Sequence, residues 1–161
     1  EEIANFSNVP FYYLPIEKSN KSDQEKKLKE IINDNDVQLI VLARYMQVLS
    51  KEFTDEHTGK IINIHHSFLP SFKGAKPYHQ AFDRGVKVIG ATAHYVTKDL
   101  DEGPIIEQDT QEVNHEMMPN DLVLMGRDIE ARVLYRAIKA HSERRVFLND
   151  NRTIVFRGQR I

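Results

Sequence analysis

Hydrophobic positions follow two different periods along the chain, which predicts a mixture of strands and helices. Short, nearly continuous apolar runs such as 37–43 are typical of strands that are buried on both faces. The predicted strands are Val9–Ile16, Val37–Ala43, Lys60–His65, Val86–Val96, Ile105–Val113 and a terminal hairpin of Arg145–Leu148 with Arg152–Phe156. Apolar residues at helical spacing predict helices near Asp23–Asn33, Ser50–His57, Tyr78–Arg84 and Asn120–Ser142. This order indicates an α/β fold with a mostly parallel core and antiparallel later strands.

Two local signals support these boundaries. Ser22 and Glu25 have the spacing of a capping box at the start of the first predicted helix. Gly85 follows the third predicted helix, where glycine commonly ends a helix. Ligands of open α/β sheets lie beyond the carboxyl ends of strands, so the chemistry is expected near residue 65 and near the loop 97–104.

Composition narrows the possible functions. The chain has 161 residues, a formal net charge of -2 and no cysteine. We therefore expect no nucleic-acid partner, because such binding usually needs a basic stripe, and no disulfide, thiolate nucleophile or cysteine zinc site. No apolar run approaches the roughly 20 residues of a membrane span, so we expect no membrane partner. The chain begins with Glu1 and not with Met, and we expect it to be a trimmed piece of something longer.

Asn63 and His65 stand two residues apart at the end of a predicted strand. Side chains at that spacing share a face, which places Ile64 and His66 on the other face. An amide donor beside an imidazole suits carbonyl chemistry, because the amide can stabilise an oxyanion and the histidine can transfer a proton. The alternative is that both residues cap the strand and bond to backbone.

Histidines also raise the question of a metal site. Four of them lie fairly close in sequence, namely His65, His66, His79 and His94. We expect no metal, because adjacent histidines diverge on a strand and the chain has no H-E-x-x-H helix.

Asp101 begins a short turn that continues with Glu102, Gly103 and Pro104. Glycine and proline favour a tight turn, which could fix the Asp101 carboxylate in the mouth of a site, where it could orient or charge a histidine. The alternative is a solvated turn acid. Asp99 and Glu102 are interpreted as solvated neighbours.

Two other segments each have two interpretations. Lys73 and Lys76 lie in the long loop 67–77 and could meet an anionic substrate or only face solvent. The apolar residues Met46, Val48 and Leu49 follow a buried strand and could line a pocket or belong to the core.

Three segments together resemble the formyltransferase domain shared by glycinamide ribonucleotide formyltransferase, methionyl-tRNA formyltransferase and formyltetrahydrofolate deformylase. They are Leu42–Ser50, Ile62–Pro70, and Gly90–Val96 followed by Asp101–Ile106. The resemblance implies a Rossmann-like three-layer fold whose first strands are missing from this chain. It also implies that residues 1–161 form a catalytic domain that is incomplete at its N-terminal side and lacks the ACT-type regulatory domain of the deformylases.

The same resemblance implies roles for particular residues. Asn63, His65 and Asp101 match the catalytic residues of the family. The segments that hold the pterin of folate match Met46, Gln47, Val48, Leu49, Thr97 and Leu100. Gln47 departs from the pattern, because several members of the family have arginine there.

His66 and Phe68 stand where the transferases have proline and leucine, which favours the deformylase branch. Ala43–Met46 and Gly74–Ala81 favour the same branch. That branch implies hydrolysis of 10-formyltetrahydrofolate to tetrahydrofolate and formate, which supplies formate for purine synthesis and balances the folate pool. It further implies folate as substrate, no tightly bound cofactor, a homo-oligomer and a cytoplasmic location. The alternatives are formyl transfer to glycinamide ribonucleotide and a non-catalytic folate-binding module.

Overall fold

The apolar runs and turn residues of the chain form five helices and six strands in the part that the computed structural model describes, residues 2–15, 21–66 and 76–158. The chain divides into two compact units, Glu1–Val37 and Gln38–Ile161.

The first unit contains helices α1 (Glu2–Phe6) and α2 (Lys21–Asp34). The strand predicted at Val9–Ile16 is wrong over residues 9–15, which have no regular secondary structure, and Ile16 lies outside the described residues. Pro10 and Pro15 interrupt this segment, and neither has the backbone N–H that a strand ladder requires. Helix α2 confirms the predicted helix but begins at Lys21, so Ser22 lies inside its first turn and is not the N-cap.

The second unit is built on a four-stranded sheet in the order β1-β2-β3-β4. Its strands are β1 (Ile40–Leu42), β2 (Ile61–His65), β3 (Val88–Tyr95) and β4 (Ile105–Glu112). Strands β1 and β2 are parallel, whereas the β2–β3 and β3–β4 pairs are antiparallel. The predicted α/β fold with antiparallel later strands is confirmed. Strand β1 is shorter than the predicted Val37–Ala43. Residues 37–39 have no regular secondary structure, and the chain bends after Leu42, where Arg44 adopts a left-handed φ of 54°.

Three helices accompany this sheet, namely α3 (Lys51–Glu56), α4 (Pro77–Asp83) and α5 (Pro119–Ser142). The Ser50 side chain accepts a hydrogen bond of 3.1 Å from the Phe53 backbone N–H and caps α3. Gly85 follows α4 with a φ of 62°, as predicted. Helix α5 contacts β2, β3 and β4. It buries one apolar face there, with Leu122, Ile129, Val133 and Ala137.

The predicted terminal hairpin is confirmed as β5 (Val146–Asn149) and β6 (Arg152–Val155). Asp150 in the turn has a left-handed φ of 54°. Residues 67–75 of the predicted loop lie outside the described residues, and Pro77 already belongs to α4. Among the helices that the structure describes, none has the length and apolar character needed to cross a membrane.

Candidate active site

A pocket of about 380 Å³ lies in the second unit. Its walls come from the segment after β1, the end of β2, the end of β3, the loop that follows β3, and one side chain of α5. Asn63, His65 and Asp101 all line this pocket. The structure therefore brings together the three residues for which the sequence suggested chemistry.

Asn63 is held in place by a histidine on the neighbouring strand. In the antiparallel register of β2 and β3, Asn63 lies opposite His94, and such partners project from the same face. The Asn63 Nδ2 atom lies 3.3 Å from His94 Nε2, and His94 Nδ1 lies 2.9 Å from the Tyr95 carbonyl oxygen. That carbonyl can only accept, so Nδ1 carries the proton of a neutral His94 and Nε2 accepts from the Asn63 amide. This chain of bonds fixes the orientation of the amide and uses one of its two N–H groups.

Asp101 reaches the same place from the loop after β3. One of its carboxylate oxygens, Oδ1, lies 3.3 Å from His65 Nδ1 and 3.7 Å from His94 Nε2. Asp101 itself has a φ of 57°. The carboxylate is thus set to accept the Nδ1 proton of His65, which directs Nε2 of that ring away from Asp101.

Gly103 explains how the loop comes so close to β3. A Cβ atom at this position would lie 1.7 Å from the Tyr95 carbonyl oxygen, a distance that excludes any side chain. The close approach permits the bond of 2.9 Å from the Tyr95 N–H to the Pro104 carbonyl. The turn predicted from glycine and proline therefore fixes Asp101 through close packing of two backbones.

The electrostatics of the pocket favour neutral imidazoles. Burial lowers the pKa of His65 below its ordinary value, and the charges of His66 and His94 add to this, while Asp101 opposes it. Burial also lowers the pKa of His94, although the bond to Tyr95 and the attraction of Asp101 each raise that pKa. His65 is therefore mostly unprotonated at neutral pH, which is the form that can accept a proton.

His66 does not lie where the sequence placed it. It was predicted to share the opposite face with Ile64, but its ring stacks on His65 with centroids 4.9 Å apart and planes at 17°. Strand β2 ends at His65 and the chain bends at His66, so the alternation of faces ends there. Both rings line the pocket.

The six residues predicted to contact folate also line the pocket, namely Met46, Gln47, Val48, Leu49, Thr97 and Leu100. Met46 and Leu100 are 68% and 62% exposed, whereas Leu49 is buried. Met46 and Val48 therefore form an exposed apolar rim, and Leu49 contributes to both pocket and core. These positions suit a flat, partly apolar ligand that enters from solvent.

The remaining residues that the sequence offered as candidates have no place in the group formed by Asn63, His65 and Asp101. Asp99 and Glu102 are exposed, as predicted, and both also line the pocket. His79 is exposed on α4, and Lys73 lies outside the described residues. Lys76 is exposed just before α4. Within residues 2–15, 21–66 and 76–158, no group of three or more His, Cys, Asp or Glu side chains is arranged to hold a metal ion.

Sequence reasoning assigned no role in the pocket to His94 or Glu130, which both line it. His94 was considered only as a metal ligand, and its bond to Asn63 follows from a strand register that the sequence does not reveal. Glu130 lies on α5 and accepts a bond of 2.7 Å from the hydroxyl of the buried Tyr78. The apolar period of α5 marks its buried face but gives no sign that Glu130 reaches the pocket.

Comparisons with known proteins identify relatives of this chain. The family model described as formyl transferase matches residues 3–138. A curated formyltetrahydrofolate deformylase from Corynebacterium sp. (strain P-1) is 56% identical over 155 residues, which is 96% of this chain and 54% of that protein. The crystal structure of a formyltetrahydrofolate deformylase from Burkholderia mallei ATCC 23344 has a TM-score of 0.92 at 54% identity, covering 97% of this chain and 56% of that one.

A second class of solved structures is more distant. Phosphoribosylglycinamide formyltransferase from Anaplasma phagocytophilum has a TM-score of 0.87 at 30% identity, covering 99% of this chain and 76% of that chain. The chain spans about half the length of the curated deformylases that it matches.

Proposed function

The chain belongs to the formyl transferase family, and from this premise we propose that it hydrolyses 10-formyltetrahydrofolate to tetrahydrofolate and formate. The observation that carries the proposal is the convergence of Asn63, His65 and Asp101 in one pocket, with Asp101 Oδ1 3.3 Å from His65 Nδ1. The names of the relatives support the choice of reaction. A curated formyltetrahydrofolate deformylase is 56% identical, whereas a solved phosphoribosylglycinamide formyltransferase is 30% identical.

In the proposed mechanism, a water molecule attacks the formyl carbon. The neutral His65 accepts a proton from this water at Nε2, and Asp101 stabilises the imidazolium that forms. The second N–H of Asn63 donates to the formyl oxygen as that oxygen gains negative charge. His65 then gives its proton to the folate nitrogen while the C–N bond breaks, which releases tetrahydrofolate and formic acid, and the acid loses its remaining proton to solvent to become formate.

The apolar and the polar parts of the pocket wall are assigned different roles in this proposal. The apolar rim at Met46 and Val48 would contact the flat pterin of the folate, and Thr97 and Leu100 would border it from the loop after β3. The polar wall at Asn63, His65 and Asp101 would then face the formyl group. In this assignment folate is the substrate, and the reaction uses no tightly bound cofactor.

Formyl transfer to the amine of glycinamide ribonucleotide is the second candidate, because the solved glycinamide formyltransferases share this fold. Both reactions use the same polar wall and differ in the nucleophile. We expect the protein, at its full natural length, to release formate from 10-formyltetrahydrofolate without any amine acceptor. Turnover that starts only when glycinamide ribonucleotide is added would replace hydrolysis by transfer.

Asp101→Asn tests the assignment of the site. General acid-base groups typically contribute about 10²–10⁴-fold to a rate, so the kcat of Asp101→Asn should be lower than that of the wild type by a factor in this range. Asp99→Asn is a matched control, because it removes a carboxylate from the same loop that is exposed and lies outside the proposed proton path. Equal kcat values in the two variants would contradict the proposed role of Asp101.

We also propose that the protein is a homo-oligomer in the cytoplasm. Exposed apolar side chains on the terminal hairpin and just after it, including Phe147 and Phe156, offer a surface that association could cover. The chain has no cysteine, which is compatible with a reducing compartment. Light scattering would measure the mass in solution, and cell fractionation would test the location.

A further inference from the structure

The ring of His66 covers one face of His65 at the end of β2. The two imidazoles are nearly parallel, with centroids 4.9 Å apart and an angle of 17° between the planes. His65 is also held at its edge, where Nδ1 lies 3.3 Å from Asp101. A contact at the edge restrains the rotation of an imidazole only in part, because the χ2 torsion of histidine has broad energy wells. A flat neighbour on its face restricts this rotation further.

We propose that His66 is a positioning residue, whose stacked ring keeps the His65 imidazole in the plane that aims Nε2 at the attacking water. The proposal rests on the proposed hydrolysis, because it concerns the geometry of the proton transfer in that reaction. His66 is not assigned any contact with the substrate. Its position depends on the bend that ends β2, because a continued strand would have turned the ring to the opposite face.

The stack also has an electrostatic consequence. Two protonated imidazoles at this separation repel, so His66 opposes the protonation of His65 and helps to lower its pKa. Burial is the larger cause, His94 on β3 acts in the same direction, and Asp101 acts against it. The other charged residues that line the pocket are Arg44, Asp99, Glu102 and Glu130.

Two variants separate stacking from charge. His66→Ala removes both, and His66→Phe keeps an aromatic face without a titratable group. His79→Ala is the matched control, because His79 is exposed on α4 and does not line the pocket. The measurements are kcat and KM for 10-formyltetrahydrofolate, the pH profile of kcat/KM, and the titration of the His65 ring by NMR.

We expect His66→Ala to lower kcat by about 10–100-fold with little change in KM, since a displacement of about 1 Å in a catalytic group can cost about 10²-fold. His66→Phe should recover most of kcat. It should also shift the acidic limb of the pH profile to higher pH, because His65 loses a like-charged neighbour and its pKa rises. His79→Ala should match the wild type in every measurement.

Wild-type kcat in His66→Ala would overturn the proposal. So would a loss in His66→Phe as large as that in His66→Ala, because stacking would then not be the cause. The NMR titration keeps this test distinct from that of the proposed function, since it needs no turnover. A protein that releases no formate, but whose His65 titrates at higher pH in His66→Phe, would refute the hydrolysis while retaining the contact between the two rings.

Discussion

Gly103→Ala should lower kcat strongly, although it changes no residue that is assigned to the chemistry. The added Cβ would lie 1.7 Å from the Tyr95 carbonyl oxygen and 2.9 Å from its carbon, and real Cβ contacts are essentially never below 3.0 Å. The two backbones would have to separate by about 1.3 Å to reach that limit. Asp101 stands two residues before Gly103, so the displacement reaches the carboxylate that lies 3.3 Å from His65.

The size of the effect follows from this displacement. A shift of about 1 Å in a catalytic constellation can cost about 10²-fold, or about 3 kcal/mol, and it should appear in kcat more than in KM. Overpacking typically costs about 1–3 kcal/mol of stability, and the bond from the Tyr95 N–H to the Pro104 carbonyl would lengthen as well. Steady-state kinetics and urea unfolding of the same preparation measure the two effects separately.

Gly85→Ala is the control for the chemical change alone. Gly85 has a φ of 62°, so alanine there is strained by roughly 1–2 kcal/mol, but a Cβ at this position would meet nothing within 4 Å. We expect a small loss of stability and wild-type kcat. If Gly103→Ala kept both wild-type kcat and wild-type stability, the close approach of the loop to β3 would not be what fixes Asp101.

Three further predictions follow from the site. Asn63→Ala should lower kcat by about 10²–10³-fold if Asn63 is the oxyanion donor, and a change in KM alone would contradict that role. His94→Phe should cost about 1–3 kcal/mol in urea unfolding and also lower kcat, because the Asn63 amide loses the acceptor that orients it. Burial lowers the pKa of His65, His94 and His141 in the folded protein. At pH values between those lowered pKa values and the ordinary value of about 6.5, the unfolded chain therefore binds more protons than the folded protein does. The free energy of unfolding should therefore fall as pH drops through that interval, and urea midpoints at about pH 7.5 and 5.5 would measure it.

The sequence predicted those features that depend on local patterns. The alternation along β2 correctly placed Asn63 and His65 on one face, and the long apolar period correctly marked α5. It failed at Val9–Ile16, where residues rich in strand-forming side chains form no strand over 9–15, because propensity does not supply a pairing partner. It also misplaced His66, since the rule of alternating faces holds only while the strand continues.

The position of His94 shows what local patterns could not supply. His94 lies 31 residues after Asn63, and only the antiparallel register of β2 and β3 brings the two side chains together. A shift of that register by one residue would turn His94 to the other face of the sheet. The sequence motif around His94 was visible, but its meaning as the acceptor that orients Asn63 required the pairing of the strands.

The three proposed catalytic side chains depend on three different kinds of structural restraint. Asn63 depends on the strand register with His94, His65 on the edge and face contacts of Asp101 and His66, and Asp101 on the close backbone approach at Gly103. Each restraint fixes an orientation, and none of them involves Met46 or Val48, the apolar rim that would bind the pterin. Damage to any one of them should therefore lower kcat far more than it raises KM. A variant of a restraining residue that raised KM with an unchanged kcat would mean that the polar wall binds folate and does not act on its formyl group.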